Sequence, residues 1–146
     1  MENINEIKLP KIKKANGDKF SILIVDDSMF QRNHISKLIA KMDCQIAGHA
    51  EDGIDGYTLY KELNPHLVTM DITMPGMNGY ESLKNIIEYN PAALVVMVTA
   101  LTHDAMIQQC LDAGAKDYIT KPFKPSETAF KIIKILRKNF ELVFED

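Results

Sequence analysis

Short apolar runs alternate along the chain with longer segments of helical periodicity. Five runs predict strands, and they cover residues 20–25, 44–50, 66–70, 93–98 and 116–119. The first and fourth are almost wholly apolar and rich in β-branched residues, which is typical of strands covered on both faces. Between the runs apolar residues recur at spacings of three and four, as in the stripe from Ile35 to Met42, which predicts amphipathic helices.

Glycine and proline residues agree with this division into elements. Gly114 follows the fourth helical segment, Pro65 and Pro91 precede strands, and Pro125 opens the last helix. Five strands alternating with five helices predict an α/β fold of the (βα)5 type, a doubly wound parallel five-stranded sheet over residues 20–141. Because crossovers between parallel strands are right-handed, the helices must divide between the two faces of the sheet.

The two ends of the chain lie outside this pattern. Residues 1–19 carry five lysines, three acids and scattered apolar positions, and Pro10 disfavours a central strand there. We interpret this segment as an N-terminal arm that is disordered or loosely docked, with a partner-binding segment as the alternative. Residues 142–146 form a short tail whose apolar side chains either prolong the last helix onto the core or offer a docking surface.

Composition restricts the class of protein. Hydrophobic residues make up 46% of the 146 residues and charged residues 25%, the balance of a soluble globular domain. The net charge of −3 argues against nonspecific binding to nucleic acid. The longest apolar run, residues 92–98, is far below the roughly 20 residues needed to cross a bilayer. With no signal peptide and two isolated cysteines, Cys44 and Cys110, we predict a cytoplasmic protein with free thiols and no membrane insertion.

Polar residues stand where the predicted strands end. Asp26 and Asp27 follow the first strand, Asp71 the third, Thr99 the fourth, and Lys121 comes just after the fifth. Taken singly, an aspartate at a strand end is most often a turn or helix-cap residue. Ligands of open α/β sheets, however, bind beyond the carboxyl ends of the strands. If the first, third and fourth strands are neighbours, all of these side chains meet at one edge.

This set of side chains suits phosphoryl transfer to a carboxylate. Three clustered carboxylates repel one another and need a compensating cation, and Mg²⁺ prefers carboxylate and phosphate oxygens. Lys121 supplies an ammonium that can reach a phosphate, and Thr99 a hydroxyl that can donate to a phosphoryl oxygen. Asp71 would then act as the nucleophile and form an aspartyl phosphate.

Several segments resemble the receiver domain of bacterial two-component response regulators, over roughly residues 20–140. The segments that carry the resemblance are Ile-Val-Asp-Asp-Ser at 24–28, Ala-Glu-Asp-Gly at 50–53, Met-Asp-Ile-Thr-Met-Pro-Gly-Met-Asn-Gly at 70–79, Val-Thr-Ala at 98–100 and Tyr-Ile-Thr-Lys-Pro-Phe at 118–123. The opening acidic pair, with Phe30 and Arg32 after it, is similar to that of chemotaxis-type receivers.

The resemblance implies a flavodoxin-like fold with strand order 2-1-3-4-5 and a role for each site residue. Asp71 would be the phosphorylated residue, with Thr99 and Lys121 holding the phosphoryl group and a cis peptide bond before Pro122. The implied ligands of Mg²⁺, or of Mn²⁺ in its place, are Asp26, mainly through water, Asp27, Asp71 and the backbone carbonyl of Thr73. Thr99 and Tyr118 would form the switch that responds to phosphorylation.

The implied function is that of a stand-alone response regulator rather than an enzyme in the ordinary sense. It would accept the phosphoryl group from a sensor histidine kinase or histidine phosphotransfer protein, assist its own phosphorylation and dephosphorylation, and signal to an unidentified output protein. Leu101 would shield the acyl phosphate from water. The alternatives are a phosphorelay intermediate, a phosphorylation-independent scaffold, and a haloacid-dehalogenase-like phosphatase. The last shares the Asp71–Thr73 pattern but places its acidic pair late in the chain.

Overall fold

The computed structural model describes residues 2–100 and 104–145, and only the backbone of Asp104. The strands are β1 (Lys11–Lys14), β2 (Ser21–Val25), β3 (Gln45–Ala50), β4 (Leu67–Asp71), β5 (Val95–Thr99), β6 (Asp117–Thr120) and β7 (Leu142–Glu145). The helices are α1 (Met29–Lys41), α2 (Gly53–Leu63), α3 (Gly79–Tyr89), α4 (Asp104–Asp112) and α5 (Pro125–Asn139). The bounds of β2 to β6 lie within two residues of the five predicted strands.

Strands β2 to β6 form one parallel sheet in the order β3-β2-β4-β5-β6. In the numbering of the five predicted strands this is the order 2-1-3-4-5, so the predicted (βα)5 fold and its strand order are confirmed. From β2 the chain first crosses to β3, which flanks β2 on one side within the sheet, and then to β4, which flanks β2 on the other. The strand order therefore reverses between β2 and β4, where open α/β sheets form their ligand crevice.

The sheet is covered on both faces. Side chains alternate along β2, so that Ile22 and Ile24 pack into a cluster with α1 and α5, while Leu23 and Val25 pack into a second cluster with α2, α3 and α4. This double coverage explains why the inner strands consist mainly of apolar residues. Across residues 2–100 and 104–145, the helices are too short or too polar for any of them to span a bilayer.

The ends of the chain pair with each other. β1 and β7 form a two-stranded antiparallel sheet, in which Lys13 Nζ lies 2.7 Å from Glu145 Oε1. Ile12 is fully buried against the α1 and α5 cluster. Residues 2–14 are thus docked rather than loosely attached, and the tail does not prolong α5, which ends at Asn139 before an extended Phe140. The domain boundaries inferred from the sequence stay a prediction.

Candidate functional site

Three carboxylates converge at the carboxyl ends of β2 and β4. Asp26 and Asp27 follow β2, and Asp71 is the last residue of β4, which is hydrogen-bonded to β2 with Val25 opposite Met70. One carboxylate oxygen from each of the three aspartates lies within 4.8 Å of the others. Asp26 and Asp71 are buried, while Asp27 is exposed. The convergence predicted from the strand ends is therefore present in the fold.

Lys121 reaches this cluster from the segment between β6 and α5. Its ammonium lies 2.8 Å from Asp26 Oδ2 and 3.4 Å from Asp71 Oδ2. The Lys121 backbone N–H donates to the Thr99 carbonyl at 2.8 Å, which holds the lysine at the end of β5. The peptide bond to Pro122 is cis, as predicted. Three negative charges thus face one positive charge, so the site keeps an excess of negative charge.

Burial dominates the electrostatics of Asp71. Loss of water is the largest cause that raises the pKa of its carboxyl, the nearby Asp26 carboxylate adds to the rise, and the net pKa is about 6. The Lys121 ammonium and the backbone N–H of Thr73, which donates to the carboxylate, oppose this rise. The carboxylate is therefore mostly ionised at neutral pH, and it has lost part of the hydration that would weaken it as a nucleophile.

The donors of the site fit a hard divalent cation. Asp26 Oδ2 is completely buried, and the Lys121 ammonium 2.8 Å away is shared with Asp71. The ligands on offer are carboxylate oxygens, which suit Mg²⁺ or Mn²⁺ better than soft metals. The backbone of Thr73 borders the same carboxylates through its N–H group. The role of its carbonyl as a ligand stays a prediction.

Asp26 is held in place by a backbone framework. Its N–H donates to the Ala50 carbonyl at 3.0 Å, its carbonyl accepts from Arg32 Nη1 at 2.7 Å, and its Oδ1 accepts from the Ser28 N–H at 2.9 Å. Ser28 is also the N-cap of α1. The support from Arg32 was missed in the sequence, although Arg32 lies one turn before Ile35 on the buried stripe of α1. That position marked it as a buried charge in need of a partner.

Gly79 is a second supporting residue whose role was missed in the sequence. A Cβ atom at this position would lie 1.9 Å from the carbonyl oxygen of Asp71. The Gly79 N–H donates to the Ile72 carbonyl at 2.8 Å, so α3 begins in direct contact with the end of β4. A glycine directly after the Asn78 helix cap was the available signal, because close backbone approach requires the absence of a side chain.

The predicted switch residues lie on neighbouring strands. Thr99 ends β5 and is fully buried, and Tyr118 of β6 stands opposite Met97. Because side chains alternate along strands, Thr99, Met97 and Tyr118 share one face of the sheet. Tyr118 is half-buried, and Lys131 Nζ lies 4.9 Å from the centroid of its ring. The switching role stays a prediction, and Leu101 lies outside the described residues.

This combination of a doubly wound sheet and a carboxylate cluster facing a lysine defines a class of protein. The family model of the response regulator receiver domain matches residues 22–133, and the chain belongs to this family. Receiver domains of this family are regulatory domains.

Among its relatives are CheY-type response regulators. The chain is 42% identical to the chemotaxis protein CheY of Thermotoga maritima over 114 residues, which are 78% of this chain and 95% of that protein. It is 38% identical to CheY of Treponema pallidum over 132 residues, which are 89% and 92% of the two chains.

Solved structures agree with the sequence relatives. In the CheX–CheY–BeF3–Mg²⁺ complex from Borrelia burgdorferi, a chain 34% identical to this one matches with a TM-score of 0.80, covering 83% of this chain and 92% of that chain. The response regulator domain of Thermotoga maritima CheB matches with a TM-score of 0.71 at 34% identity, covering 82% and 95%.

Proposed function

We propose that the chain accepts a phosphoryl group on Asp71 from a sensor histidine kinase or a histidine phosphotransfer protein. The observation that carries the proposal is the convergence of Asp26, Asp27 and Asp71 beside the Lys121 ammonium at the strand-order reversal. A buried carboxylate at the end of a central strand, with an ammonium at 3.4 Å, can receive an anionic group that an isolated aspartate would repel.

The transfer exchanges one bond to phosphorus for another. An oxygen of the ionised Asp71 carboxylate attacks phosphorus, and the bond from phosphorus to the donor's imidazole nitrogen breaks. That nitrogen keeps the electron pair of the broken bond, and the ring takes up one proton from solvent, which leaves a neutral imidazole. Lys121 moves from pairing carboxylates to pairing the phosphoryl oxygens, and the Thr99 hydroxyl donates to one of them.

The carboxylates would hold a divalent ion during this transfer. Asp27 would bind it directly, Asp26 mainly through water, and Asp71 and the Thr73 carbonyl would complete the protein ligands. When bound, Mg²⁺, or Mn²⁺ in its place, supplies positive charge that offsets the repulsion between the carboxylates and the phosphoryl oxygens. The three carboxylates, which share the single Lys121 ammonium within 4 Å of two of them, support this assignment.

Output would come from a changed protein-binding surface. A phosphoryl group adds charge and strong acceptor oxygens at one point, and this matters only if it biases a two-state element. Movement of Thr99 toward the phosphoryl group would vacate space on the face that Tyr118 shares. The partner would be an output protein of a chemotaxis-type system, since CheY relatives carry that description and one of them is seen in a complex with CheX.

Intact-mass measurement after incubation with acetyl phosphate and MgCl₂ tests the proposal. The wild-type protein should gain about 80 Da per chain, and Asp71→Asn should gain nothing. Asp55→Asn removes an exposed carboxylate from α2 and serves as the matched control that labels normally. Chelation of the metal with EDTA should stop the labelling. Labelling of Asp71→Asn at the wild-type level would contradict the proposal, and turnover of a generic phosphomonoester would favour a phosphatase instead.

A further inference from the structure

The outer surface of α5 carries an apolar groove. The groove has a volume of about 680 Å³ and lies between α5, the arm residues just before β1, and the end of β7. Its apolar lining consists of Leu9, Pro10, Ala129, Phe130, Ile133 and Phe144. We call this surface the α5 groove. Leu9, Ala129 and Ile133 are buried and form its floor, whereas 66% of Phe130 and 51% of Phe144 is exposed to solvent.

Cations surround the α5 groove. Lys8, Lys134, Arg137 and Lys138 line it. Within residues 2–100 and 104–145, none of these four forms a salt bridge, although neighbouring lysines such as Lys13 and Lys131 do. Arg137 contacts the ring of Phe144 at 5.7 Å. This local excess of positive charge stands out in a chain whose net charge is −3.

The arm is fixed at the beginning of the groove. The Glu2 carboxylate accepts hydrogen bonds from the backbone N–H of Ser126 at 2.9 Å and from its hydroxyl. α5 has no side-chain cap from its own N-cap residue, Lys124, so Glu2 satisfies a backbone donor in the first turn. The Lys41 ammonium also donates to the Ile7 carbonyl at 2.6 Å. The wall formed by residues 8–10 is therefore held by these contacts on one side and by the pairing of β1 with β7 on the other.

We propose that the α5 groove binds an acidic amphipathic helix of a partner protein. The groove follows α5 from Ser126 to Lys138, a length of about 18 Å, which matches roughly three turns of a second helix. Apolar residues of that helix would cover Phe130 and Phe144, and its flanking carboxylates would pair with the surrounding cations. The concave shape between two walls favours a rod-shaped occupant over a flat anionic membrane.

This surface is separate from the chemistry of Asp71. Its walls, residues 8–10 and Phe144, lie outside residues 22–133, which match the receiver family. Binding there needs neither the carboxylate cluster nor a phosphoryl group. Asp71→Asn should therefore bind the helix as the wild type does, so the two proposals fail or succeed independently.

The probe is a designed 15-residue helical peptide with leucines on one face and glutamates flanking them, titrated into the ¹⁵N-labelled full chain. Chemical-shift changes should concentrate in residues 8–10, 126–138 and 142–145. Phe130→Asp, and the pair Lys134→Glu with Lys138→Glu, should each weaken binding at least tenfold. The matched controls Ile54→Asp and Lys116→Glu, at exposed positions elsewhere, should bind as the wild type does. A peptide with lysine in place of glutamate should bind at least tenfold more weakly.

Several results would overturn the proposal. Equal affinity for the two peptides, shifts outside the groove, or no binding at millimolar peptide would each do so. Sedimentation that shows a dimer of the free chain, lost in Phe130→Asp, would assign the groove to a second copy instead. Co-sedimentation with anionic phosphatidylglycerol vesicles, lost in the same variants, would assign it to a membrane surface.

Discussion

The edge of the sheet at Asp71 and the α5 groove are both charged regions, but they are built in opposite ways. At the edge, the charges of Asp26 and Asp71 are buried and lie within 3.4 Å of the Lys121 ammonium. In the groove, the cations stand around exposed aromatic rings and form no salt bridge with a described carboxylate. Buried charges are costly unless they are held in fixed geometry, whereas exposed charges are hydrated and need no framework.

The two regions therefore depend on different parts of the chain. The edge relies on backbone contacts such as those of Gly79 and Asp26, and its excess negative charge calls for a small hard cation. The groove relies on the docking of the two chain ends, and its excess positive charge calls for an acidic macromolecule. Substitutions that disturb the backbone contacts at the edge should therefore impair phosphorylation of Asp71 more than a single charge change impairs binding in the groove.

The largest effect is expected for Gly79→Ala. The added Cβ would meet the Asp71 carbonyl oxygen at 1.9 Å, so β4 and α3 must separate. We expect the free energy of unfolding to fall by about 3 kcal/mol, with loss of labelling by acetyl phosphate. Urea unfolding and intact-mass measurement check both.

Gly48→Ala is the matched control for this substitution. Its added Cβ would meet the tip of the Leu63 side chain at 3.0 Å, and a flexible side chain can move away. We expect a loss below about 1 kcal/mol and normal labelling. Equal losses in the two variants would show that the close approach at Gly79 is not what supports the site.

Removal of the buried ammonium comes next. Lys121→Ala should lower the rate of labelling by acetyl phosphate about 100-fold, because the attacking carboxylate then faces the anionic donor without an adjacent positive side chain. Lys134→Ala removes the same charge from the α5 groove and should label at the wild-type rate. A wild-type rate in Lys121→Ala would refute the electrostatic role of this lysine.

A smaller effect is expected for the dependence of stability on pH, through a histidine that packs against Phe140 just before the tail. His66 Nδ1 accepts from the Ser21 N–H at 2.9 Å, and its ring packs between Phe20 and Phe140. Burial lowers the pKa of His66 below its usual value of 6.5, and Lys14 adds to this. The unfolded chain therefore binds a proton at higher pH than the folded chain does, and the free energy of unfolding should fall as pH falls below 6.5.

The variant His66→Asn isolates this contribution, because an amide oxygen can accept from Ser21 but does not titrate. Urea unfolding at about pH 7.5 and about pH 5.5 should show a smaller loss of stability in the variant than in the wild type. His34 and His49 also have pKa values lowered by burial, and they remain in both proteins. An identical loss in both would assign the acid sensitivity to those residues.

The smallest effect is expected for Glu2→Ala. This change removes the acceptor of the Ser126 N–H, so hydrogen exchange at Ser126 should become several-fold faster by NMR. Global stability should not change measurably, because Glu2 is at the surface. Affinity for the acidic peptide should fall modestly as the groove wall loosens. Unchanged exchange at Ser126 would show that the arm is held by other contacts.

The central sheet and the carboxylate cluster were predictable because local pattern decides them. The apolar run that ends at Val25 indicates where the first strand of the sheet ends. Parallel strands then place Asp26, Asp71 and Lys121 at one edge. The supporting role of Gly79 was not predicted, because a close backbone contact between β4 and α3 depends on the packed geometry rather than on periodicity.

The paired chain ends were not predictable for a related reason. β1 and β7 are four residues each and lie more than 120 residues apart, and neither is strand-like by pattern without its partner. Pro10 disfavours a central strand, and β1, which begins at the next residue, indeed lies outside the central sheet. The apolar residues of the two ends form a groove only once both ends dock on α5, and the sequence pattern does not predict that docking.

Borohydride trapping of the phosphorylated protein tests the central claim most directly. Reduction converts a phosphorylated aspartate into homoserine, so tandem mass spectrometry of the digested protein identifies the acceptor residue. The account predicts homoserine at position 71, dependent on Mg²⁺ and on prior incubation with acetyl phosphate. Homoserine at position 26 or 27, with an unmodified Asp71, would contradict it.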